Sequence, residues 1–314
     1  MNRLTLLLPP RAVLAADAAL AAGPVAYWLQ RGNLLPAAAP GRETALRELF
    51  QFAGTTLPVA ALTRELDRGD AVGATWLRAD PAHVRADIAT ARLLACGDLG
   101  LDAADCEALL RPLKPLFGDS GFTLDAPVPS RWYLCAPAGA QLPVFAPPQQ
   151  VLGDDLRLHL PEGNEGRRWR SLLNEAQILL HNHPLNAQRI ARGQLPVNSL
   201  WIWGAGALPQ WIKTPLTRVL TRDGVLSALA ARAKCTLTAA EPDALTDFDG
   251  ETLLDLDDPA VLPLLTKQWL PRIEQGLARG RLGELRLQLV SGERALYRRG
   301  QRWRFWRRVR PLTS

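Results

Sequence analysis

The side chains able to bind or transform a ligand crowd between Trp169 and Gly206, in the stretch WRSLLNEAQILLHNHPLNAQRIARGQLPVNSLWIWGAG. His181, His183, Asn186, Arg189, Arg192 and Asn198 all fall at the ends of expected elements, where side chains can point into a cleft. Guanidinium and amide groups gathered in this way suit an anionic ligand, and imidazoles add proton transfer. Gly204 and Gly206 would let backbone N–H groups approach that ligand closely. The same residue types also cap helices and close turns, so a purely architectural role fits the pattern equally well.

The elements that position this cluster follow from spacing. Leu172, Leu173, Ala176, Leu179 and Leu180 recur as one stripe of an amphipathic helix, which Pro184 stops. Asn186 to Arg192 reads as a second short helix closed by Gly193, and Ser199 to Trp203 as a strand turning at Gly204-Ala205-Gly206. Upstream, Thr75 to Ala79 reads as a strand, with Asp80-Pro81-Ala82-His83 as a loop beyond it. Asp80 and His83 would there form an acid/base or metal-binding pair, or simply a turn.

A different chemistry belongs to the C-terminus. Arg294, Arg298, Arg299, Arg302, Arg304, Arg307, Arg308 and Arg310 carry no acid between them, and without them the formal charge of +6 becomes −2. Tyr297, Trp303, Phe305 and Trp306 interleave with them, a pattern suited to nucleic acid or an acidic partner through counterion release and stacking. An arginine face that is merely solvated, or that keeps an edge strand from pairing, is the plainer reading.

With 47% hydrophobic and 22% charged residues the chain is expected to be a soluble globular protein with a normal core. No apolar run approaches the ~20 residues that span a bilayer. The start imitates a secretory leader, but Pro9, Pro10 and Arg11 cut its apolar run short of the ~7–15 residues such a segment needs. Leu4 to Leu8 reads instead as a buried first strand. Cys96, Cys106, Cys135 and Cys235 have unrelated spacings and no CxxC pair, which fits free thiols and a cytoplasmic location.

Helical patches at 12–22, 44–52 and 59–68, a helix over 101–117, the strand RWYLC (131–135) and a long connection over 136–168 indicate a mixed α/β fold. Further on, 224–234 and 262–279 read as helices and 252–256 as a strand. Residues 285–290, 294–298 and 302–307 read as an antiparallel meander.

The chain resembles the bacterial regulatory proteins called RpfE through TWLRADPAHVRAD, RWYL, the 168–206 stretch and the basic Trp-containing tail. More distantly, HNHPLNAQRIARGQLPVN followed by WGAG is similar to the HPxNxxRxxxGxxPAN…GAG stretch of archaeal-type cofactor-independent phosphoglycerate mutases. That resemblance implies an alkaline-phosphatase-like α/β core over 1–74 and 186–314, with an α/β domain inserted at 75–185. It also implies two divalent ions and a phosphorylated serine. The chain departs from that chemistry. Pro9-Pro10 follows the first strand where a metal-binding Asp-Gly is expected, and no serine precedes Ser120. Thr55 and Thr56 are the remaining nucleophile candidates, Asp255, Asp257 and Asp258 the remaining carboxylates, and no histidine follows His183. The expectation is a catalytically inactive, mutase-like regulatory protein without a cofactor, which binds a phosphorylated small molecule or a protein partner. The alternatives are a metal-dependent mutase or phosphatase with an altered site, and a nucleic-acid binder working through the tail.

Overall fold

A computed structural model describes residues 2–86, 90–245, 247–258 and 260–313. The chain forms two compact units, Met1–Ala53 with Gln210–Ser314, and Gly54–Pro209. In chain order the first unit contributes β1 (Arg3–Leu8), β2 (Asn33–Leu34) and β3 (Gln51–Phe52). The second holds β4 (Thr75–Ala86), β5 (Ala91–Cys96), β6 (Thr123–Val128), β7 (Arg131–Ala136) and β8 (Ser199–Ala207). The first then resumes with β9 (Ile212–Lys213), β10 (Arg218–Leu220), β11 (Thr236–Thr238), β12 (Glu251–Asp255), β13 (Glu284–Leu289) and β14 (Arg294–Tyr297).

The sheet of the first unit has the order β11-β10-β12-β1-β13-β14-β2. It is parallel from β11 to β13 and antiparallel beyond. The apolar run of β1 reflects its place in the middle: a parallel strand covered on both faces needs apolar side chains on both. Leu4, Leu6, Leu7 and Leu8 are all fully buried, and Leu4, Leu6 and Leu8 join one core with Trp28, Trp269 and Ile273.

The tail departs from the expected meander. β13 and β14 form an antiparallel hairpin, but the next segment is a 3-10 turn (Arg299–Trp303), and β2 takes the edge position beside β14. Bonds from Arg304 to the Arg31 carbonyl and Asn33 fix residues 302–307 without strand pairing.

The second unit is an antiparallel sheet, β5-β4-β7-β6, with β8 along the other side of β4. The helices Ala103–Asp119 and Gly163–His181 supply its core, with Leu109, Leu113, Phe117, Trp169, Leu172 and Ala176 buried among sheet residues. The unit begins before residue 75 and ends after 185, because its own pairing requires it. β8 runs antiparallel to β4 from Ala82 back to Thr75, and the helix Val59–Arg68 packs on it. A Cβ on Gly204 would sit 2.9 Å from the Val59 Cβ, so the Gly204-Ala205-Gly206 segment continues the strand and glycine serves helix packing. Pro81 is likewise inside a strand. β4 pairs with β7 up to Arg78 and with β5 from Ala82, and a residue without an N–H fits the gap between those partners.

No helix of the described residues is long and apolar enough to cross a membrane. All four cysteines are free.

Candidate functional site

Ligands of open α/β sheets bind beyond the carboxyl ends of the parallel strands. In the first unit that edge is acidic. β12 ends on Asp255, Asp257 follows it, and Thr221 and Asp223 follow β10. Between these groups lies the guanidinium of Arg42, first residue of the helix Arg42–Leu49. Its Nη2 donates to Asp255 Oδ2 at 2.7 Å, and its Nη1 to Asp255 Oδ1 at 3.1 Å and Asp257 Oδ2 at 2.9 Å. Asp223 Oδ1 stands 3.6 Å away and caps the next helix by accepting from Leu226 N–H. Thr221 Oγ1 donates to Asp255 Oδ2 at 2.7 Å.

Asp255 is only 4% exposed, and Arg42 is the cation that pairs with it there. Burial works against the Arg42 charge, but the bonds to Asp255 and the attraction of Asp223 and Asp257 outweigh it and raise the arginine above its ordinary value. Burial pushes the Asp257 carboxyl up, and Arg42 offsets only part of that.

A divalent ion does not fit this donor set. The Asp255 oxygens already accept from Arg42 and Thr221, and a dication would be placed against a fixed guanidinium. Leu7, the β1 residue in register with Asp255, leads into Pro9-Pro10 rather than a carboxylate. Among the described residues no group of three or more His, Cys, Asp or Glu is placed to hold a metal.

The 183–198 cluster, in the second unit, is organised differently. His183 caps the helix Pro184–Ala191, its Nδ1 accepting from Leu185 N–H. Asn186 donates to the carbonyls of Leu180 and Val197 and accepts from Val197 N–H, joining the helix Gly163–His181 to the segment that leads into β8. Arg189 is fully buried. It donates to the carbonyls of Leu195 and Leu99 and pairs with Asp105 at 3.2 Å. Asn198 mimics a strand residue, accepting from Val84 N–H and donating to Val84 C=O. Gly193 takes a left-handed φ of 72° after the helix. Asn186, Arg189 and Asn198 therefore spend their polar groups on the framework, while His181 and Arg192 are exposed.

Asp80 and His83 do not form a pair. Asp80 is buried on β4, bonded to Arg78 Nη2 at 2.7 Å and to the Trp203 indole at 2.7 Å. Burial raises its pKa although Arg78 and Trp203 pull the other way. His83 Nδ1 instead donates to the Pro196 carbonyl at 3.0 Å. Thr55 and Thr56 are exposed in a bend before the helix Val59–Arg68.

The polar signature at 183–198 thus builds a joint. The chain's likeness to curated proteins covers only part of its length. The chain is 37% identical over 84 residues to a 2,3-bisphosphoglycerate-independent phosphoglycerate mutase of Methanosarcina barkeri, covering 26% of this chain and 21% of that protein. A probable enzyme of the same name from Geobacter sulfurreducens is 29% identical over 110 residues, covering 35% of this chain and 28% of its own length. The chain is distantly similar to cofactor-independent phosphoglycerate mutases. It matches only 21% and 28% of these relatives' length. Among solved structures, the cofactor-independent phosphoglycerate mutase of Thermoplasma acidophilum aligns over 95% of this chain and 90% of its own, with 15% identity and a TM-score of 0.44. No protein-family profile matches the chain.

Beside the helix Leu270–Ala278 of the first unit lies a cavity of about 210 Å³, with Leu245 and Phe248 as apolar lining and Arg272, Arg279 and Arg281 as cations. Asp243 pairs with Arg272 at 2.6 Å. In the tail, Arg298 is bound to Glu284, Arg304 and Arg307 hold backbone carbonyls of residues 30–32, and Arg299, Arg302, Arg308 and Trp303 are exposed.

Sequence reasoning missed Arg42, Thr221 and Asp223. One signal existed for Arg42: a cation in the first turn of a helix faces the positive end of the helix dipole, which is unfavourable unless acids compensate. Those acids lie 213 and 215 residues away in sequence, so only the parallel sheet brings them together.

Proposed function

We propose that the chain is a mutase-like protein without catalytic turnover, serving a regulatory role by binding a phosphorylated small molecule or a protein partner. The observation that carries this reading is the Arg42 guanidinium among Asp255, Asp257 and Asp223. Phosphoryl transfer needs charge stabilisation at the reacting centre and an activated nucleophile. Here the strand-end carboxylates are neutralised from within, β1 leads into two prolines, and the candidate threonines are exposed bend residues. The resemblance to the RpfE regulatory proteins points the same way. Arg279 and Arg281, which line the cavity outside the Arg272–Asp243 pair, offer guanidinium donors suited to a phosphate monoester, with Leu245 and Phe248 as an apolar lining for its organic part.

An assay of 3-phosphoglycerate and 2-phosphoglycerate interconversion in added Mn²⁺ tests the reading, with thermal melts in the same phosphate esters. The expected result is no turnover, and a melting temperature raised by a phosphate ester in wild type but not in Arg279→Ala/Arg281→Ala. Turnover abolished by Thr55→Ala or Thr56→Ala would overturn it in favour of an active enzyme.

A further inference from the structure

Between Trp303 and Trp306 the chain exposes three large aromatic side chains, at 67% for Trp303, 80% for Phe305 and 67% for Trp306. Fraying does not account for them, because the backbone that carries them is fastened. Arg304 Nη1 donates to Asn33 Oδ1 at 2.7 Å and to the Arg31 carbonyl. The Gln30 amide exchanges two bonds with the Arg310 backbone, and Leu312, 5% exposed, donates its N–H to Ala21. Exposed aromatic clusters on a held backbone mark interaction surfaces. Arg299, Arg302, Arg308 and Arg310 are exposed around these rings, and no acid occurs from Arg294 to Arg310.

We propose that Trp303, Phe305 and Trp306, with Arg299, Arg302 and Arg308, form a docking surface for single-stranded nucleic acid. The partner must be anionic and must offer flat faces to aromatic rings, and an unpaired strand presents both in alternation, whereas a duplex hides its base faces. Arg302 lies over one face of Trp303 at 4.8 Å, leaving the other face for a base. A bilayer surface is the competing anionic partner, because aromatic and cationic side chains combine there too, and the vesicle arm of the test separates the two.

The test uses the full chain and a labelled 20-nucleotide single strand, its duplex, heparin, and phosphatidylserine vesicles, over a salt series. Single-strand binding exceeding duplex and heparin binding, and weakening steeply with salt, is expected. Trp303→Ala/Phe305→Ala/Trp306→Ala lowers the affinity at least about tenfold with the salt slope kept, since stacking is uncharged. Arg299→Ala/Arg302→Ala/Arg308→Ala makes the slope shallower by about 2, from roughly 0.7 per phosphate contact. All six side chains are exposed, so both variants keep the wild-type melting temperature, and a melt on each sample separates lost binding from lost fold. Equal binding to single strand, duplex and heparin that survives the aromatic variant would overturn the proposal. So would binding to vesicles without binding to the oligonucleotide, or no binding at low salt.

Discussion

The joint at 183–198 and the acidic strand ends around Asp255 both gather polar side chains, but they do opposite things with them. In the joint, asparagine and arginine replace missing backbone partners. Asn198 completes β4 pairing, Asn186 ties a helix to the segment leading into β8, and Arg189 closes carbonyls of two loops. At the strand ends, carboxylates converge as they would around a cation, and the cation is a side chain of the same chain. A polar motif that suggests a ligand site can therefore report how a fold is held together. The chemistry has to be read from the strand ends.

The comparison breaks most visibly at Arg189. Arg189→Met strands Asp105 and leaves the Leu99 and Leu195 carbonyls without a donor, with an expected cost of about 3–5 kcal/mol, measured by urea unfolding. A change below 1 kcal/mol would return Arg189 to the ligand-binding candidates. Arg42→Ala comes next, at ~3 kcal/mol, the low end for a buried pair because Arg42 is partly exposed. Without the guanidinium, Asp255, Asp257 and Asp223 repel one another. Burial already raises the Asp257 carboxyl and Arg42 is what offsets it, so the loss shrinks as pH falls and Asp257 protonates, and melts at pH 7 and pH 4.5 check that sign.

Asn198→Ala removes two bonds to Val84 and is expected to cost about 1–3 kcal/mol, with little effect on the first unit's transition. Glu284 sharpens the contrast least but tests the electrostatics of the same sheet. Burial pushes its carboxyl up, yet bonds from Arg298 and Arg3 more than reverse this and hold it below the usual glutamate range. A depressed carboxyl contributes stability above its unfolded pKa of about 4.3 and loses it as pH falls through the folded value. Glu284→Gln should thus lie below wild type at pH 7 and converge with it in acid, as followed by melting temperature against pH.

Local structure was legible wherever one residue type has one physical reason. The buried β1 followed from its leucine run, the end of the helix Gly163–His181 ahead of Pro184 from proline, and the end of the next helix from Gly193, although that helix starts at Pro184 rather than at Asn186. Where a signal has two causes, the sequence misled. Asp80-Pro81 reads as a turn, but β4 changes partners there. The alternating tail reads as a strand, but Arg304 and Arg307 are fasteners. Polar groups at 183–198 suited a cleft and a joint alike, and burial distinguishes them. The Arg42 network was invisible because its members are brought together only by sheet order.

The strand-end carboxylates, neutralised by Arg42, are expected to hold no divalent ion. Calorimetric titration of the full chain with Mn²⁺ and Zn²⁺, paired with metal analysis after dialysis, tests it most directly. The expected result is no stoichiometric metal and no heat that depends on Asp255. A metal bound one to one in wild type and lost in Asp255→Asn/Asp257→Asn would contradict it.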